Sequence, residues 1–206
     1  RLSLDFELVT LAESMRLAGY ATGHFGKWHM GGENEGGYPT AQGFEVNYGG
    51  ADRGVPPARN GRASYFADAN GGFAVPHLEA NGIANQYVTD RLTTEALGWL
   101  ESEKARPFFL YFSHFSVHLP KQAKAEDIEL FNGLPRGERH NDPVYAAMIK
   151  AMDDSIGAVV DYLETTDSVR SPGRKLIDNT MVIFYSDNGG VGGYSDIGIR
   201  GATEVT

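Results

Sequence analysis

The order of elements along the chain predicts an α/β fold with a largely parallel central sheet flanked by helices. Three observations carry that expectation. The short aromatic segment Tyr20 to Phe25 follows one amphipathic stretch, the apolar run Phe108 to Phe112 follows a second, and the β-branched run Thr180 to Ser186 follows a third. Helical patterns alternating with short apolar runs place those runs in a sheet covered on both faces, where ligands bind beyond the carboxyl ends of the strands. The composition suits one globular domain or most of one, with 206 residues, 41% hydrophobic and 22% charged.

Each element has its own signal. Thr10 with Glu13 reads as a capping box, and Leu8, Leu11, Ala12, Met15 and Ala18 recur at helical spacing until Gly19, which predicts a helix over 11–18. Tyr20 to Phe25 then leads, as a strand, into the glycine-bounded segment Gly26 to Gly32. From Gly31 to Gly82 the density of Gly, Asn and Pro predicts long irregular loops, packed rather than flexible because aromatics such as Tyr48, Tyr65 and Phe66 need something to pack on. Val88, Leu92, Ala96, Leu97 and Leu100 mark the next helix, and Pro107 introduces the strand at Phe108. Asp142 as N-cap and Pro143 at the first helical position open a third helix, with an expected buried stripe of Val144, Met148, Met152, Ile156, Val160 and Leu163. The strand over Thr180–Ser186 ends in Asp187, Asn188, Gly189 and Gly190.

Charge and composition exclude several functions. A formal net charge of -9 argues against a nucleic-acid surface, which needs clustered Lys and Arg, so an anionic substrate requires a local cationic pocket. The absence of cysteine removes disulfides, thiolate metal sites and a Cys nucleophile from these residues. No apolar run approaches the roughly 20 residues that cross a bilayer, and Arg1 to Glu7 lack the apolar centre of a signal peptide.

Three clusters carry chemistry. In Gly26-Lys27-Trp28-His29-Met30-Gly31 a cation and an imidazole two residues apart would face one side of an extended chain and grip one anion; a surface Lys beside a packed Trp and a satisfied His fits the pattern equally. Ser113-His114-Phe115-Ser116-Val117-His118-Leu119-Pro120 sets two histidines just past a strand, where an acid or anion donor belongs, although a loop histidine is more often structural. Ser186-Asp187-Asn188-Gly189-Gly190 offers a carboxylate and an amide oxygen, hard ligands for Ca²⁺ or Mg²⁺, or else an ordinary turn.

Taken in order, these clusters resemble the sulfatase family of formylglycine-dependent, arylsulfatase-like enzymes. Gly19-Tyr20-Ala21-Thr22 through Gly31 resembles the family's second signature, Pro107 to Pro120 its strand and loop bearing a substrate histidine, and Thr180 to Gly190 its strand ending in paired metal ligands. Weaker similarity at Thr89-Asp90 and from Asp142 to Gly157 extends the match over nearly the whole chain. The resemblance implies an alkaline-phosphatase-like fold, one Ca²⁺ and a sulfated sugar or aryl ester as substrate. It implies that Lys27 contacts the sulfate and the nucleophile, that His29 hydrogen-bonds the nucleophile and assists its regeneration, and that His118 holds a sulfate oxygen or protonates the leaving group. Asp187 and Asn188 would be two of the calcium ligands, and His114 takes no role from the family.

The departures are equally specific. The family nucleophile is a formylglycine made from Cys or Ser in a Cys/Ser-x-Pro-x-Arg motif, and no such motif occurs here. The paired aspartates that complete the calcium site and a Lys in a Gly-rich downstream segment are also missing. The resemblance therefore implies that residues 1–206 are a partial sulfatase catalytic domain, truncated at both ends and inactive alone. A phosphoryl or phosphonate ester hydrolase of the same superfamily would use the same metal, Lys and His, and a non-catalytic anion- or calcium-binding module would need no nucleophile. Ala51 to His77 is the stretch expected to set substrate selectivity, and a periplasmic or secreted address follows from the resemblance alone.

Overall fold

The computed structural model describes residues 3–34, 36–59, 61–137 and 141–186. Helix α1 (Leu11–Leu17) starts on the expected capping box: Thr10 accepts from the Glu13 amide at 3.1 Å, and the Glu13 carboxylate accepts from the Thr10 amide at 2.7 Å. Strand β1 (Ala21–Gly26) follows, then β2 (Val46–Tyr48) and a hairpin of β3 (Ala58–Arg59) and β4 (Arg62–Ala63). Helix α2 (Val88–Glu103) leads into β5 (Phe108–Ser113), and α3 (Ala125–Asn132) and α4 (Pro143–Thr165) complete the layer. Asp142 caps α4 by accepting from the Val144 and Tyr145 amides, with Pro143 in the first turn.

The main sheet runs β2-β1-β5, and both pairings are parallel, with Gly23 beside Val46 and Leu110. Alternation along the strands divides the core. Ala21 and Phe25 of β1 join Val88, Leu92, Ala96 and Leu100 of α2 and Ala147, Met148 and Ala151 of α4, with Phe108, Leu110 and Phe112 of β5 packed alongside. On the opposite face Ala12 of α1, Trp28 and Phe44 form a second, smaller core against Phe109. His24 points into this second layer, with its ring edge-on to Trp28 and Phe44 and stacked on Tyr111.

Two expectations are corrected. Burial on α4 centres on Tyr145, Ala147, Met148, Ala151, Ser155 and Leu163, while Met152, Ile156 and Val160 are only half-buried, because the helix meets α2 and α3 on a line displaced from the stripe of largest side chains. The strand over Thr180–Ser186 is not formed in the described residues. Met181 to Tyr185 stand 54% to 86% exposed, and none of them pairs with another strand. An apolar, β-branched run specifies that a segment is suited to a sheet, but only a neighbour that takes its N–H and C=O groups makes it a strand.

Candidate active site

The parallel pairing of β1 and β5 ends at Gly26 beside Ser113, so the Lys27 and His118 segments leave the sheet at the same carboxyl edge. Gly26 makes this possible. Its φ is 109°, and a Cβ there would lie 1.8 Å from the Ser113 carbonyl oxygen. Immediately beyond it the Lys27 amide donates to Ser113 O at 2.7 Å, and the Ser113 hydroxyl donates to the Lys27 carbonyl. Lys27 itself is half-buried.

The next residues do not continue in an extended conformation, contrary to the sequence expectation. Trp28 turns inward, 6% exposed, and donates its indole N–H to Gly37 O at 2.8 Å. His29 has φ 63°, an uncommon value for a residue with a Cβ, and is exposed. Its amide donates to Ala51 O at 3.0 Å, and Gly54 lies so close that a Cβ in its place would stand 2.2 Å from the His29 Nδ1. The loop 51–54 therefore supports His29 at both backbone and ring, and this places the start of the expected selectivity stretch at the site.

The histidines of the second cluster have different surroundings. His118 is half-exposed, and its Nδ1–H donates to Leu119 O at 3.0 Å, which leaves Nε2 for a ligand. The loop is fixed by Tyr65, a fully buried side chain whose hydroxyl lies 2.7 Å from Phe115 O and 2.9 Å from His118 O. Nothing in the sequence pattern singled out Tyr65 for this role. His114 packs edge-on to Phe112 with ring centroids 4.2 Å apart, and its Nδ1 is buried without a hydrogen-bond partner among the described residues. Burial pulls its pKa down to about 4.

The structure thus brings Lys27, His29 and His118 to the carboxyl ends of adjacent parallel strands. Asp187 and Asn188 lie outside the described residues, and among those described no group of three or more His, Asp or Glu is placed to hold a metal. A concavity of about 310 Å³ between α3 and α4, lined by Phe131, Leu134, Tyr145 and Ile149 among others, contains none of these residues. One cation and two imidazoles at the carboxyl edge of a parallel sheet suit an oxyanion better than an apolar ligand.

That arrangement is an α/β protein with one cation and two imidazoles at a sheet edge, and comparison makes the class specific. The family described as Sulfatase matches residues 3–204, and the chain belongs to the sulfatase family. Among curated relatives, the arylsulfatase of Hemicentrotus pulcherrimus is 28% identical over 192 residues, covering 88% of this chain and 31% of that protein. The N-acetylgalactosamine-6-sulfatase of Mus musculus is 29% identical, over 87% of this chain and 32% of that protein. The chain spans about a third of the length of these two relatives. Among solved structures, Ps i-CgsB in complex with k-i-k-neocarrahexaose superposes with a TM-score of 0.72 at 26% identity, over 97% of this chain and 44% of that one. The fold is the alkaline-phosphatase-like α/β fold of the sulfatases.

Proposed function

We propose that the complete protein containing this chain is a sulfuric ester hydrolase that releases sulfate from a sulfated sugar or an aryl sulfate. The observation that carries the reading is the joint delivery of Lys27-Trp28-His29 and the His118 loop at the ends of β1 and β5, in a chain of the sulfatase family. Lys27 supplies fixed positive charge to the sulfate oxygens, and His118, in the imidazolium form that carries a proton on Nε2 as well as on Nδ1, supplies a proton to the departing alcohol or a hydrogen bond to the ester. In this reading His29 hydrogen-bonds the attacking group, and its contacts with Ala51 and Gly54, which hold the residue at backbone and ring, support that role. A sugar substrate is favoured by the carbohydrate complex of the structural relative. The nucleophile, a formylglycine, and one Ca²⁺ with Asp187 and Asn188 among its ligands belong to the same proposal, and when bound the ion would polarise the S–O bonds. A periplasmic or secreted address rests on family membership alone; among the described residues no helix is long and apolar enough to cross a membrane.

The test is sulfate release by the complete gene product, matured to formylglycine, from an aryl sulfate and a panel of sulfated sugars, with an aryl phosphate as control. Lys27→Ala and His118→Ala are each expected to lower kcat/KM by about 10²-fold or more, the usual scale for a positioned charge or general acid. Cleavage of the phosphate ester but of no sulfate ester, or an unaltered rate in Lys27→Ala, would overturn the reading.

A further inference from the structure

His24 stands outside the roles assigned so far, yet its surroundings connect it to Lys27 and to His29. It is fully buried in the middle of β1, on the sheet face opposite α2 and α4, where an imidazole is costly unless its nitrogens are used. Its Nδ1 lies 3.0 Å from Asn47 Oδ1 on the adjacent strand, and its Nε2 lies 3.2 Å from the Lys27 carbonyl. The Asn47 amide is itself fixed: its Nδ2–H donates to Gly50 O at 2.9 Å, and its Oδ1 accepts from the Gly50 N–H at 3.0 Å. Oxygen therefore faces His24 on both sides of the ring, and a neutral imidazole, with one N–H, bonds one of them at a time.

We propose that His24 is a positioning residue of the active site, a buried wedge that sets the Lys27–His29 segment against the Gly50–Gly54 loop. The chain of contact is continuous. His24 meets the Lys27 carbonyl on one side; on the other, Asn47 holds Gly50, the neighbouring Ala51 accepts from the His29 amide, and Gly54 lies on the His29 ring. Gly50 approaches so closely that a Cβ there would fall 2.7 Å from His24 Cε1 and 2.5 Å from Asn47 Oδ1, so the loop is seated on this pair. Tyr111, Trp28 and Phe44 hold the ring plane from β5 and the second core. The consequence for catalysis rests on the hydrolase reading above; the placement of the two segments does not.

Site-resolved amide exchange on this chain tests the placement, and kinetics of the complete matured protein test its use. His24→Phe keeps a ring for the stacking but removes both nitrogens. It is expected to speed exchange of the His29 and Gly50 amides by roughly tenfold or more while the β1–β5 ladder keeps its protection. Asn47→Ala cuts the same chain from the other end and should give the same pattern, which covers the case of a His24 variant that does not fold. In the complete protein His24→Phe should lower kcat by about 10²-fold with a smaller change in KM, because misplacement penalises the transition state more than binding. Unchanged exchange at His29 and Gly50 in a folded His24→Phe, unchanged exchange at His29 in Asn47→Ala, or uniform loss of protection through β1 and β5 in both variants, overturns the proposal. If the wild-type complete protein cleaves no sulfate ester, the hydrolase reading fails while the exchange comparison still decides the role of His24.

Discussion

Tyr65 offers one hydroxyl hydrogen to two carbonyl oxygens, those of Phe115 and His118, and lies in contact with both at the base of the loop that carries the His118 imidazole. Desolvation pushes its pKa well above the ordinary tyrosine value, so the hydroxyl stays a donor at every accessible pH. Tyr65→Phe takes the hydroxyl from both carbonyls: the Phe115 oxygen keeps only the His118 amide at 3.0 Å, and the part-buried His118 oxygen loses the tyrosine. It is expected to cost about 1–3 kcal/mol of stability. In the complete matured protein it should also lower kcat by roughly tenfold or more, through displacement of His118. Denaturant unfolding and steady-state kinetics on the same preparation check both halves; a stability loss with unaltered kcat would show that the loop holds His118 without the tyrosine. At this scale the sequence was legible only in part. Lys27, His29 and His118 could be named because short patterns carry them, whereas Tyr65 reads as an aromatic needing a packing partner and its targets lie 50 and 53 residues further on. The His24–Asn47 contact spans 23 residues and exists only because two strands pair in one register. No local spacing encodes either.

Among the elements, α1, β1, α2, β5 and α4 were legible because each carries its own cap, period or apolar run. Strand β2 is three residues long and takes its identity from pairing with β1, and the eight-residue α3 is short enough to hide within the polar stretch before Asp142. The run Thr180–Ser186 shows the reverse case, a strand-like sequence without strand pairing. Glycines give a sharp test of element packing, since identical substitutions should have opposite signs. Gly26→Ala drives a methyl group into Ser113 O at a φ of 109° and should part the carboxyl ends of β1 and β5, at a cost of about 2 kcal/mol or more. Gly98→Ala, within α2 and with nothing inside 4 Å of its added Cβ, should stabilise by about 0.5–1 kcal/mol. Thermal or denaturant midpoints of the two variants, measured together, are expected to move in opposite directions; a loss of stability in Gly98→Ala would show that α2 is packed more tightly there than the open space implies.

For the whole molecule, the buried His24 and the half-buried His114, whose Nδ1 is shut off from solvent, set an acid limit that the surface charges do not. Burial is the main cause of lowered pKa at His24, partly opposed by its contacts with Asn47 and Lys27, and burial alone lowers His114; both fall from 6.5 to about 4. The unfolded chain therefore takes up protons between those values before the folded one does. Stability is fully present above pH 6.5 and is lost as pH falls toward 4, by up to about 1.4 kcal/mol per pH unit and about 3 kcal/mol in total for each ring. The exposed carboxylates Asp167 and Glu101, whose pKa values are lowered chiefly by hydrogen bonds from Lys175 and Lys104, act only below the ordinary carboxylate range. The two windows are thus separable. Unfolding free energies at pH 7, 5.5 and 4.5 should fall steadily for the wild type, and His24→Phe and His114→Phe should each reduce the slope by close to one proton. A stability that stays level from pH 7 to 4.5, or a slope that neither substitution changes, would mean that these rings reach protons in the folded state and that the sheet face around His24 is wetter than its packing indicates.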